Sequence, residues 1–302
     1  ADLFLNELGA DSFAVAHCNF HLRGAESDGD EALVNAWADS NGVRMHRVDF
    51  DTREYASAHG VSIEMAARDL RYGWFARLCD EFGYDVVAVA HNANDNAETL
   101  MLNLLRGTGL NGLHGMADVS CFLLAGGGMS SPSQNRPSKR ETVLLFRPLL
   151  ECTRKQIEGY VLSHRVPYRH DSSNFGSEYK RNRIRNEVFP VFETINPSFV
   201  RTLNREMGYL SEADEIVSEW CAAQAEAVLM EAEAPAAAVI SLQALLSVRH
   251  WRYLLYHILE PYGFNSATLA SLEALLSSER TVSGKRFEAS GYTLFTQRDS
   301  IV

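Results

Sequence analysis

The sequence predicts an α/β fold: a doubly wound, mostly parallel sheet followed by a smaller all-helical second domain. Three observations carry this. Short apolar runs alternate with segments of helical spacing from residue 13 to about 165, the pattern of strands joined by crossover helices. The apolar run Asp85 to Ala90 ends in a polar turn, Asn92 to Asn96, that opens a helix, and open sheets of this class hold ligands at such strand ends. From Asn196 onward helical spacing dominates.

In order, ADLFLNELGAD reads as the last turns of a helix with Leu3, Leu5 and Leu8 on its apolar side. Phe13 to Phe20 is a strand, and Asp28 to Asn41 a helix whose Asp28 and Glu31 have capping-box spacing. Val43 to Phe50 is the second strand. The helix from Ser62 to about Phe82 repeats Ile63, Ala67, Leu70, Trp74, Leu78 and Phe82 every three to four residues. After the central strand and helix comes an insertion at about 118–142. Its run FLLAGGGMSS has phosphate-loop lettering, yet Pro132 and Pro137 stand where a helix would have to open, so it reads as a flexible segment. Val143 to Leu149 is a strand, and Thr153 with Gln156 opens a helix ending near Arg165. A first domain therefore covers 1–195. In the second, 196–302, Asn196 and Pro197 open a long helix reaching about Glu231, and helices follow at Ser241 to Leu259 and Ser266 to Ser278. Ser283-Gly284-Lys285 reads as a turn before the strand-like GYTLFTQRD.

The 302 residues are 46% hydrophobic and 22% charged, as in a globular protein of about two domains. No apolar run approaches the roughly 20 residues that span a bilayer. Five scattered cysteines, with no C-x-x-C pair, argue against a zinc site or disulfide framework and place the chain in a reducing cytoplasm. The formal net charge of −11 disfavours an RNA partner overall. Locally the sign inverts: Arg165, Arg169, His170, Lys180, Arg181, Arg183 and Arg185 outnumber Asp171 and Glu178, with Tyr168 and Tyr179 among them. A basic, aromatic patch of this kind suits phosphate.

Asp95 and Glu98, three apart on the first turn of the central helix, suit an ammonium group or a hydrated Mg²⁺; the plainer reading is a cap with a favourable first-turn acid. His17 and His21 lie where a strand becomes a turn, with no third metal ligand evident. Arg68 and Arg71 share one helix face beside Glu64. Either could grip a phosphate or a carboxylate, and Arg68 could equally pair with Glu64.

The stretch AHNANDNAETLMLNLLRGTGLNGLHGM resembles the signature of bacterial tRNA(Ile)-lysidine synthetases, members of the PP-loop ATP-pyrophosphatase superfamily. AHCNFHLRGAESDGDE from Ala16, SIEMAARDLRYGWF from Ser62, RPLLECTRKQIEGYV from Arg147, DSSN at Asp171 and YKRNRIRNEVFPVFETINP from Tyr179 resemble the same family in the same order. The resemblance implies a PP-loop, adenine nucleotide alpha hydrolase-like fold and a cytoplasmic ligase. Such an enzyme uses ATP and Mg²⁺ to join L-lysine to C2 of the wobble cytidine of tRNA(Ile) bearing the CAU anticodon, through an adenylated tRNA. It also implies a Ser-Gly-Gly-x-Asp-Ser phosphate loop ahead of residue 1, expected to be missing from this chain, and the stop at Val302 within a strand-like stretch suggests that a C-terminal region is missing too.

Residue by residue, the resemblance implies catalytic roles for Arg71, Asp95, Glu98, Arg181 and Arg185, with Asp95 and Glu98 on the lysine ammonium. ATP falls to His17, Asn19, Arg23 and His91, and tRNA to Arg106, Arg169, Lys180 and Arg183. Asn92, Asn94 and Asn96 replace the His, Asp and Gln more usual in the family turn, which leaves the Mg²⁺ ligands open. Two rivals stand: a PP-loop tRNA thiolase, which would want cysteine pairs suited to sulfur transfer, and a tRNA-binding module without catalysis. The oligomeric state stays open between monomer and homodimer.

Overall fold

Parallel pairing sets the frame. In a computed structural model describing residues 1–123, 142–169, 180–278, 283–289 and 291–302, β1 (Ala14–Asn19) runs alongside β2 (Arg44–Asp49), with Ala14 opposite Arg44 and Asn19 opposite Asp49. A second parallel pair joins β3 (Val86–Ala88) to β5 (Thr142–Phe146). On the other side of β5, β4 (Val119–Leu123) pairs antiparallel, so the first residues of the expected insertion belong to the sheet. The rest of that insertion, with most of the glycine-rich run, lies outside the described residues, as do residues 170–179 with His170, Tyr179 and the DSSN stretch.

Helices supply the crossovers. Behind α1 (Asp2–Leu8), helix α2 (Ala25–Asn41) starts three residues earlier than expected, on Gly24 at φ 53° and with no side-chain cap. The expected Asp28/Glu31 capping box is therefore absent. Both acids instead accept hydrogen bonds from the Asn19 amide, at 3.2 and 3.1 Å. Helix α3 (Thr52–His59) was not expected, although Asp51 caps it by accepting from the Glu54 N–H. Helix α4 (Ile63–Phe82) begins on the Ser62 cap and stops at Gly83, whose left-handed φ of 74° lets the chain turn away. Its Trp74 and Leu78 bury against Phe50, and its Ala76 and Cys79 against Val143, so one helix covers both parallel pairs.

Helix α5 (Ala93–Arg106) follows β3, and α6 (Arg154–Ser163) opens on the expected Thr153/Gln156 capping box. Then come α7 (Lys180–Arg183), a π-helical turn (Ile184–Val188), α8 (Phe189–Ile195) and the long α9 (Phe199–Val228). Ala97 and Leu102 of α5 bury with Ile184 and Phe189, which brings this basic stretch onto the central helix.

The chain divides into two compact units, Ala1–Tyr209 and Leu210–Val302. The second is built on α10 (Leu242–Ser247), α11 (Trp251–Leu259) and α12 (Ser266–Leu276), around Leu245, Leu254, Leu255 and Leu272. It adds to the expected helices a small sheet of β6 (Leu229–Met230), β7 (Val239–Ser241) and β10 (Ser300–Ile301), and a hairpin of β8 (Arg286–Ala289) and β9 (Tyr292–Phe295). Among the described residues, no helix is long and apolar enough to cross a membrane.

Candidate functional site

The parallel ladder of β3 and β5 runs from Val86 opposite Leu144 to Ala88 opposite Phe146, and resumes at Asn92 opposite Leu149. Four residues on one side thus match three on the other, a bulge that re-aims the chain at His91. Asn92 then caps α5: its Oδ1 accepts from the N–H groups of Asn94 and Asp95, and Asp95 Oδ2 accepts from the Asn92 N–H at 3.0 Å. Asn94 Oδ1 accepts from the Arg154 N–H, while Asn96 donates to Asn204 and accepts from the Met116 N–H. The three asparagines of the turn are therefore spent on holding α5 in place.

The two acids of α5 meet one arginine. Arg185 donates from Nε to Glu98 Oε1 at 2.7 Å, and from Nη2 to Glu98 Oε2 at 2.9 Å and to Asp95 Oδ1 at 3.2 Å. Arg181 lies alongside, donating to Thr99 Oγ1 at 2.8 Å with its Nε 3.7 Å from Glu98. Glu98 is wholly buried, and a buried carboxylate persists only with partners of this quality. Burial alone would lower the Arg185 pKa; hydrogen bonds and charge from Glu98, with the charge of Asp95, outweigh it and raise the value. The π-turn that carries Arg185 is one residue wider than an α-turn, a device that recurs at functional sites.

His91 stands at the end of β3 with Nδ1 enclosed and no hydrogen-bond partner among the described residues. Burial lowers its pKa below the ordinary 6.5; Asp95 opposes this, and Arg147, Arg181 and Arg68 add to it. A proton on His91 would add one more positive charge among guanidinium groups. As pH falls through 6.5 the unfolded chain takes up the proton before the folded one does, so stability should decline. His91→Gln should flatten that decline in urea titrations between pH 7 and 5. An unchanged slope would show that His91 does not contribute.

A second cluster lies at the end of β1. Asn19 is buried, bonded to Asp28 and Glu31, and its Oδ1 accepts from the His21 N–H. His21 Nε2 lies 2.9 Å from Asp49. His17 is partly buried, and desolvation lowers its pKa against the pull of Glu31, Asp30 and Asp49. Beside them lies a cavity of about 420 Å³ lined by Asn19, Asp28, Glu31, Arg47 and Asp49 among others. Three carboxylates against one guanidinium suit hydroxyl and amine groups better than phosphate.

Asp30 links the expected ATP and tRNA sets: it accepts from Arg23 Nη2 at 2.7 Å and from Arg169 Nε at 2.9 Å. Arg71 lies over the Phe20 ring at 5.1 Å, near this cluster, and Arg68 lies over Tyr72 at 4.8 Å.

Three expected tRNA contacts are not gathered with the rest. Arg106 ends α5, about 16 Å along the helix from Asp95 at 1.5 Å per residue, and is exposed. Lys180 is exposed, and Arg183 pairs with Glu187 at 3.2 Å. Arg147 and Asn204, which sequence reasoning passed over as site residues, stand with the α5 group. Among the described residues no cluster of three or more His, Cys, Asp or Glu is suited to a metal ion, and both acids of α5 are engaged by Arg185. No Mg²⁺ ligand is assigned among the described residues.

Residues 3–192 match the family model described as a PP-loop domain, and residues 234–302 match the TilS substrate binding domain. The chain is 39% identical to the tRNA(Ile)-lysidine synthase of Porphyromonas gingivalis, over 98% of this chain and 59% of that protein. It is 37% identical to the Parabacteroides distasonis enzyme of the same name, over 94% and 58%, and 34% identical to that of Bacteroides thetaiotaomicron, over 95% and 60%. It thus spans about three fifths of the length of these relatives. Among solved structures, a U34-tRNA thiolase from Methanococcus maripaludis matches with a TM-score of 0.47 at 15% identity, over 65% of this chain and 61% of that one.

Proposed function

Since the chain belongs to the PP-loop domain family, we propose that it serves in ATP-dependent ligation of lysine to C2 of the wobble cytidine of tRNA(Ile) bearing CAU. Residues 1–195 would supply the chemistry and 196–302 the tRNA side. The observation that carries this reading is the Asp95–Glu98 pair, set at the carboxyl end of a parallel strand with Glu98 fully buried and both acids held by the guanidinium of Arg185.

In the first step the C2 oxygen of cytidine attacks the α-phosphorus of ATP, and the α–β bridge breaks to release pyrophosphate. In the second, the lysine ε-amine, having lost its proton, attacks C2. The C2–O bond then breaks, AMP leaves, and a further proton leaves the new C–N bond. Asp95 and Glu98 hold the incoming ammonium in the place that Arg185 now fills. Arg185, released, joins Arg181 and Arg71 in stabilising charge on the transferring phosphate. His17, Asn19, Arg23 and His91 take ATP, while Arg106, Arg169, Lys180 and Arg183 take tRNA phosphates. Thiolation is disfavoured because the five cysteines of the chain form no C-x-x-C pair suited to sulfur transfer.

The test uses the protein with its native flanking sequence, ATP, Mg²⁺, labelled lysine and tRNA(Ile) bearing CAU. Lysine should appear on the tRNA. Asp95→Asn, which keeps an oxygen for the Asn92 N–H, should raise the KM for lysine by about tenfold or more while the tRNA is still adenylated. Tight tRNA binding with no lysine attached would sink the ligase reading in favour of a binding module.

A further inference from the structure

Arg147 stands just past β5, on the same edge of the sheet as His91, and no role in the proposed reaction has been given to it. One side of its guanidinium is fixed: Nη1 donates to the Ala117 carbonyl at 2.6 Å and to Ser120 Oγ at 3.0 Å. Its backbone N–H donates to the Asp118 carbonyl at 2.8 Å. The β4 hairpin thus holds the group in one orientation. The other side is not used, since Nε is enclosed and meets no acceptor among the described residues. His91 Nδ1 is in the same condition. Leaving a buried polar atom unmatched is costly, and two such atoms on one crevice mark a place where a ligand completes the set.

The surroundings say what kind of ligand. Arg68 and Arg181 add positive charge next to His91, and Arg68 also acts on Arg147. Against them stand Asp95, already engaged by Arg185, and Asp118. Burial lowers the Arg147 pKa, Tyr72 and Asp118 oppose this and Arg68 adds to it, but arginine keeps its charge at neutral pH. An oriented guanidinium with a free Nε–H, among other arginines, is matched by a tetrahedral anion.

We propose that Arg147 is a further substrate-binding residue whose Nε–H donates to a phosphate oxygen, with the imidazole of His91 beside it as a second contact. This rests on the reading of the crevice as the place where ATP and tRNA meet. The oxygen belongs either to ATP or to the RNA backbone, and the experiment separates the two.

The protein with its native flanking sequence is compared with Arg147→Lys and Arg147→Gln, measuring the KM for ATP, tRNA affinity across a salt series and kcat. The Nε–H resonance of Arg147 is followed in ¹³C,¹⁵N-labelled wild type, assigned through its side-chain carbons to the Arg147 backbone amide. A rise of about tenfold in the KM for ATP, with tRNA affinity unchanged, assigns the oxygen to the nucleotide. Weaker tRNA binding with a salt slope smaller by about one, and the KM for ATP unchanged, assigns it to RNA. Either result supports the proposal. Unchanged ATP and tRNA binding overturns it, including the case in which only the KM for lysine moves and the group serves a carboxylate. Should both variants fail to fold, the wild-type resonance decides: a shift with a non-hydrolysable ATP analogue or with tRNA supports the proposal, and no shift with either overturns it. If wild type binds both yet attaches no lysine, the ligase reading falls, and the binding arms still decide the question for Arg147.

Discussion

Glu98→Gln is expected to abolish lysine attachment and to destabilise the fold by about 3 kcal/mol, within the range for breaking a buried ion pair. Glu98 is fully enclosed, and both of its oxygens accept from Arg185. The glutamine amide keeps one acceptor and turns an N–H group toward guanidinium donors, so Arg185 loses one of its two carboxylate partners and keeps Asp95. Urea unfolding and labelled-lysine incorporation measure the two effects. The double variant Glu98→Leu with Arg185→Met separates them. It should recover most of the stability, because neither charge is then buried, and none of the activity. A loss below about 1 kcal/mol in the single variant would show that the pair is solvated in solution.

Gly115→Ala is the second large effect expected, a destabilisation of about 2 kcal/mol from outside the charged cluster. Gly115 sits at φ 74°, and a Cβ there would overlap Asn96 Oδ1 and stand 2.6 Å from Met207 Sδ. Methionine can swing aside. Asn96 cannot, because its amide is held by Asn204 at 2.9 Å and by the Met116 N–H at 2.7 Å. Asn96 lies between Asp95 and Glu98 on α5, so the strain should reach the acids and lower kcat as well. Hydrogen exchange at the Met116 amide would report the broken contact directly; unchanged exchange and unchanged stability would mean that the loop yields without disturbing α5.

What could be read from the sequence was local. Ser62 and Gly83 bracket α4 because a hydroxyl cap and a left-handed glycine act within a few residues of the chain they terminate. Thr153 and Gln156 announce α6 in the same way. Local signals also misled. Asp28 and Glu31 have capping-box spacing, but the helix had begun at Ala25, and the two acids answer to a buried asparagine on the neighbouring strand. Nothing local marks the break between α10 and α11 at Val248 to His250, where neither proline nor glycine intervenes.

The candidate site divides along the same line. Asp95, Glu98 and Arg185 could each be named from their stretches. That Arg185 takes both acids depends on packing between segments some ninety residues apart in sequence, and the same holds for Asp30 joining Arg23 to Arg169. Arg106 and Arg183 carry the right charge, but the sequence held no sign that both are exposed or that Arg183 pairs with Glu187.

The π-turn at Ile184–Val188 makes this stretch sensitive to length before it is sensitive to lettering. Ile184 and Phe189 are rooted in the core on either side of Arg185, so the spare residue keeps an apolar anchor and a charge in phase. Losing one codon here would swing one flank against the other by about 100°, the rotation per residue of an α-helix. Either the anchor or the guanidinium would then leave its seat. A frame-preserving deletion that alters no named residue would thus cost either the core contact of Phe189 or the grip of Arg185 on the acids.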